Sequence, residues 1–237
     1  MPLPVRYLQV VLDISDNDHQ GRMFEHYMHE LLPTFMEKPW PGWELFLSAQ
    51  RTPSRVPSTE PDDRDYKSYL HIWRLRDYNS LPYLMEYFDD DEVYRNLNAM
   101  VLRETQELTG AMVYNPQNNM PSFRPPEGTR FFLYTEMNMV QSPEVLSEYR
   151  TFMIDAANDP SSPLSEAFDW RMVQGTYSQT GRLRRYITIF STSSPLPQAQ
   201  EAIDWLFEQP EVQNAVVGGK DGIVWKLYEP ISYLNEQ

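Results

Sequence analysis

Cysteine is missing from all 237 residues, which removes disulfides, thiolate metal sites and a cysteine nucleophile in one step. Histidine is nearly as scarce, with four residues, His19, His26, His29 and His71, all in the first third of the chain. Glycine nowhere forms a phosphate-cradling loop; the run VVGGKDG at 216–222 lacks the spacing of either nucleotide fingerprint and reads as a turn into the last strand. No serine sits in a nucleophile elbow, and GTYSQTG at 175–181 reads as a hairpin. Positive charge is short as well: 20 basic residues stand scattered against 34 acidic ones, a net charge of -14 that repels nucleic acid and anionic membrane alike. The opening MPLPVRYLQVVLDIS breaks its short apolar run at Gln9 and Asp13 and has no small-residue cleavage site, so a signal peptide is not expected. No apolar run approaches a membrane span, and a cytoplasmic location is the expectation.

What the chain has in quantity is ring surface. Aromatic residues make up 14%, with 12 Met besides, material suited to a cavity for a flat apolar ligand as well as to a rich core. It also has a repeat. SYLHIWRL at 68–75 matches RYITIFST at 185–192, and each is followed by a helical stretch and a strand ending in Tyr-x-Pro, at 114–116 and 228–230. Arg6-Tyr7-Leu8 aligns with Arg130-Phe131-Phe132, and Trp43 with Trp170, in the same order. Order with spacing points to one unit written twice, at 1–118 and 119–237, joined by a Pro- and Asn-rich linker at about 115–129.

Periodicity fills in the elements. Alternation predicts a strand over 5–12; Phe24, Tyr27, Met28, Leu31, Leu32 and Phe35 predict a helix ending near Lys38; strands follow at 43–51 and 66–75, around an exposed loop at 52–65. Pro82 fits a first helical turn. A further helix is predicted from Asp89–Asp91 through Val93, Leu97, Met100, Val101, Glu104 and Leu108 to Gly110, then a short strand at 111–114. The second half predicts strands at 130–139, 169–177, 184–191 and 222–228 and helices at 143–157 and 197–208. Both halves read βαββαβ, a ferredoxin-like α+β order.

A four-stranded antiparallel sheet with both helices on one side leaves its other face bare, and two such sheets in one chain can cover each other. In this the chain resembles the dimeric α/β-barrel superfamily, in a fused, single-chain version packed sheet to sheet. YLHIWRLRDYNSL at 69–81 is similar to the third strand of NIPSNAP-type domains, and EHYMHELLP at 25–33 to EthD-type domains. Related branches are cofactor-independent, antibiotic-biosynthesis-monooxygenase-like enzymes, muconolactone isomerase-like enzymes and haem-binding chlorite dismutase-like proteins. The resemblance therefore implies a small-molecule site without selecting one chemistry.

On the third strand of each half, Leu70 and Ile72, or Ile187 and Ile189, are the natural helix-facing residues. That would leave Tyr69, His71 and Trp73, with Tyr186, Thr188 and Phe190, on the helix-free face beside Tyr7, Gln9, Val11 and Asp13. His71 is the candidate base because its ordinary pKa lies nearest neutrality. Asp13 or Gln9 would orient it, Tyr69 would donate to a developing oxyanion, and Trp43, Trp73, Tyr7, Tyr186 and Phe190 would shape the pocket. A satisfied interior histidine is the plain alternative; the aligned Thr188 favours function, since a fused pair is free to keep one working site.

His26 and His29 could share a metal with Glu25 or Glu30, but they fall off the apolar stripe of their helix, so they are expected in solvent and no metal is expected. His19 reads as a surface loop residue. Haem is a minor alternative, because the axial histidine that the resemblance would place in the second repeat is missing. The reading is a cofactor-independent oxygenation, cyclisation or isomerisation of an aromatic or polyketide-like molecule, begun by proton abstraction. A non-catalytic ligand-binding or interaction protein is the alternative, and pairing into a homo-oligomer is left open.

Overall fold

The structure, a computed structural model, describes residues 5–15, 19–37, 42–51, 58–59, 66–77, 79–92, 95–96, 101–114, 125–177 and 184–231. The elements run β1 (Val5–Ser15), α1 (His19–Glu37), β2 (Trp43–Arg51), β3 (Tyr66–Leu75), α2 (Ser80–Asp90), β4 (Arg103–Tyr114), β5 (Phe131–Met139), α3 (Pro143–Asn158), α4 (Pro163–Ala167), β6 (Trp170–Tyr177), β7 (Arg184–Thr192), α5 (Leu196–Glu208), α6 (Pro210–Ala215) and β8 (Ile223–Pro230). The fold is α+β with antiparallel strand pairs. The chain divides into two compact units, Met1–Pro57 with Asp62–Gly110 and Tyr228–Gln237, and Ser58–Pro61 with Ala111–Leu227. No helix among the described residues is long and apolar enough to cross a membrane.

In the first unit β3 lies between β1 and β2. Opposed residues of an antiparallel pair share a face, so the register sorts the side chains. Leu8, Val10 and Leu12 oppose Trp73, His71 and Tyr69, while Tyr7, Gln9, Val11 and Asp13 oppose Arg74, Ile72, Leu70 and Ser68. The first set belongs to the core that takes in Phe24 and Met28 of α1 and Leu84 of α2, and is therefore the helix face. Strand β2 slips register between Leu45 and Leu47, and the bulge turns both Leu45 before it and Ser48 after it toward that face. The end of β8 runs beside β2, with Gln50 opposite Glu229.

In the second unit β7 lies between β5 and β6. Ser142 caps α3 by accepting from the Val145 amide, with Pro143 in the first turn. The Arg171 guanidinium reaches the Met153 carbonyl of α3 at 3.1 Å, and Arg150 donates to the Tyr186 hydroxyl at 3.4 Å, which marks the helix face of this sheet. Gly218 and Gly219, at φ 88° and 60°, make the expected turn toward β8.

Two expectations fail. The helix predicted through Glu104 and Leu108 gives way to a strand, since β4 already begins at Arg103. Glu92, Arg95 and Asn96 are helical, and the Leu102 amide then donates to the Asp13 carbonyl at 2.8 Å, so pairing with β1 overrides the helical spacing. Val93, Leu97 and Met100 lie outside the described residues, as do most of the 52–65 loop, the linker over 115–124 and the tip of the 175–181 hairpin. Within that loop, Thr59 donates its amide to the Trp225 carbonyl at 3.0 Å. The second failure concerns facing: Tyr69, His71 and Trp73 point toward the helices, as do Tyr186, Thr188 and Phe190, and the aliphatic residues between them point away.

Candidate functional site

His71 sits at the centre of the helix face of β3, 3% exposed. Its Nδ1 lies 2.8 Å from the Ser48 hydroxyl, directly across on β2. Its Nε2 is buried and has no hydrogen-bond partner among the described residues. Burial, and secondarily the neighbouring His29, push the pKa of His71 down to about 3, so the ring is neutral at any ordinary pH. One face of the imidazole stacks against Tyr69, centroids 5.8 Å apart at 22°.

Tyr69 links the strand to α1. The ring of His29 meets it edge-on at 6.5 Å, and its hydroxyl donates to Gln50 Oε1 over 3.4 Å. Lys67, on the same face two residues earlier, donates to both oxygens of Glu25 at 2.8 and 2.9 Å. Glu25 in turn stands 3.9 Å from His29. Burial lowers the His29 pKa, the Glu25 carboxylate opposes that, and Lys67 and His26 add to it.

Beyond His71 the same face becomes aromatic. Trp73 meets Trp43 at 5.8 Å and Phe88 of α2 at 5.8 Å, while Tyr87 closes on Trp43 at 5.8 Å. A buried imidazole with one open nitrogen thus adjoins a wall of two indoles, a phenyl and a phenol.

The structure brings His71, Tyr69, Trp43 and Trp73 together and separates them from the other candidates. Asp13, Gln9 and Tyr7 lie on the opposite face of the sheet. Asp13 accepts from Ser68 at 2.5 Å there, so it cannot orient His71; Ser48 does that instead. Tyr7 packs edge-on against Phe46 at 5.2 Å, and burial pushes its hydroxyl up to about 12. Tyr186 and Phe190 belong to the second unit, on its helix face. His26 is exposed as expected, but His29 is turned inward onto Tyr69, and His19 opens α1 rather than lying in a loop. Ser48 carried no motif; only its place opposite His71 gives it a role.

Among the described residues no group of three or more His, Cys, Asp or Glu could hold a metal ion. The second unit offers haem neither a histidine nor a thiolate ligand, since its sequence contains no histidine or cysteine. Tyr149, on the helix beside Arg171, is held protonated by burial, its pKa pushed up to about 12, and is no ready ligand either.

The fold and this face together define a ferredoxin-like α+β protein with a polar cluster and aromatic wall between sheet and helices. No protein-family profile matches the chain. No curated protein matches it. Solved structures do: an anthrone oxidase-like protein, at 13% identity and TM-score 0.55, covers 96% of this chain and 92% of its own. Chlorite dismutase from Candidatus Nitrospira defluvii, in complex with imidazole, is similar at 10% identity and TM-score 0.55, over 98% of this chain and 94% of that one. A proposed monooxygenase from Fusobacterium nucleatum subsp. nucleatum is similar at 10% identity and TM-score 0.54, over 96% and 93%. At such identities the likeness establishes a shared fold.

Proposed function

We propose that the chain is a small-molecule enzyme that works without a cofactor and begins its reaction by proton abstraction at His71 Nε2, on the helix face of the first unit. The observation that carries this is the buried Nε2, without a partner among the described residues, of a ring whose other nitrogen is held by Ser48. In the tautomer that donates Nδ1–H to Ser48, the Nε2 lone pair is the free acceptor. Burial alone makes the imidazole a weak base, but the enolate formed beside it as it takes a proton from an acidic C–H flanked by phenolic rings would offset the charge that burial disfavours, and Trp43, Trp73 and Tyr69 would stack such a molecule there.

The carbanion so formed is electron-rich enough to reduce dioxygen itself. A methylene then loses two hydrogens and gains one oxygen atom as a ketone, and the second oxygen atom leaves as water. An anthrone has such a methylene, and the similarity to an anthrone oxidase-like structure recommends it as probe. The chain would carry one such site because its halves arose by duplication and diverged, with Thr188 where the first half has His71.

In an oxygen electrode with anthrone, the wild type is expected to consume one dioxygen per anthraquinone formed. His71→Ala should lose at least about a hundredfold in rate while remaining folded, and His26→Ala should stay within about twofold. A folded His71→Ala protein as active as wild type removes the proposal; bound anthrone without turnover in the wild type leaves a binding protein.

A further inference from the structure

A second buried polar atom on the same face has no partner among the described residues. Glu229, near the end of β8, lies directly opposite Gln50 and hence on the helix face, in one row with Tyr69 across β3, β2 and β8. Its Oε2 is buried and has no hydrogen-bond partner among the described residues. His71 and Ser48 occupy the next row on that face, where the Ile231 amide meets the Ser48 carbonyl at 3.5 Å. With strands spaced about 4.8 Å apart, β8 lies roughly 10 Å from β3, close to the length of two or three fused rings.

We propose that Glu229 is a substrate-binding residue of the His71 site, selecting fused-ring aromatic molecules that carry a hydroxyl at the end remote from the atom His71 addresses. The inference rests on the reading of His71 as the reacting group and adds the far end of the substrate. A buried carboxylate oxygen without a donor is costly in the free protein, and a phenolic O–H is the donor that an apolar ring would bring to it. The closing Tyr-x-Pro of the other half has Asn115 in this place, so the carboxylate, like His71, has no counterpart there. Glu229 escapes a sequence reading because it stands inside that Tyr-x-Pro strand end, where nothing marks it as more than a solvent-side residue.

Calorimetric titration with 2,6-dihydroxynaphthalene and with 2-naphthol tests this without turnover. The wild type should bind the diol about tenfold more tightly than the mono-ol. Glu229→Leu should bind the two equally, with a ligand-free melting temperature at or above wild type, and Glu229→Gln should fall between; if the leucine variant does not fold, the glutamine variant is decisive. Equal affinities in the wild type, binding of neither probe, or an undiminished preference in the variants overturns the proposal. A preference that vanishes with Glu229 while His71→Ala stays fully active would keep the binding role and discard the reaction.

Discussion

An imidazole inside a protein has a fixed orientation only if one nitrogen is held, and for His71 the Ser48 hydroxyl at 2.8 Å does the holding. Ser48→Ala removes a single oxygen from a fully buried position and strands the Nδ1 of its neighbour. The expected cost is about 1–3 kcal/mol, read from the urea midpoint. Combined with His71→Ala, the serine change should cost little more, because the group it served is already gone; additive losses would show that Ser48 acts independently of the ring. His71 could be singled out in the sequence because it is the one histidine inside a strand pattern. Its surroundings could not, since Ser48 and Gln50 come from another strand whose register depends on a bulge.

At the scale of elements, the error of facing has a plain cause. Strand β3 is buried on both sides, with Leu70 and Ile72 as inaccessible as Tyr69 and Trp73, so no polar alternation distinguishes the faces. The same ambiguity bears on the proposed matching of the halves. Leu8 opposes Trp73 and Leu133 opposes Phe190, so when the third strands are superposed the partner of Leu8 is Leu133, one residue beyond the Phe132 that the sequence match suggests. A slip of one residue moves a whole strand's side chains to the other face. The order of the strands and longer helices was legible except at β4, where apolar residues three and four apart imitated a helix; the short helices α4 and α6 carry too few turns to show a period.

The aromatic wall also depends on a junction of elements. Gly42, just before β2, holds φ at +101°, and a Cβ there would lie 2.7 Å from the Ser80 hydroxyl that begins α2. Gly42→Ala should destabilise by about 1–3 kcal/mol from backbone strain alone, measured by chemical denaturation. If α2 is displaced, tryptophan fluorescence should change as well, because Trp43 and Trp73 touch Tyr87 and Phe88.

For the molecule as a whole, a buried neutral histidine ties stability to pH. In the unfolded chain His71 takes up a proton below about pH 6.5, whereas in the fold it resists until about pH 3. Between those values the unfolded state binds more protons, so stability rises with pH through the window and is lost as pH falls. His29, also lowered by burial, contributes with the same sign. The acidic excess behind the net charge of -14 titrates in the same region, but it is common to the wild type and to a His71→Gln variant and cancels in their difference. Urea unfolding at pH 7 and pH 4.5 should therefore show the wild type losing roughly 2–3 kcal/mol more than His71→Gln. Parallel losses in the two proteins would mean that the imidazole gains its proton as readily inside the fold as outside it, which a ring enclosed between β3 and α1 should not do.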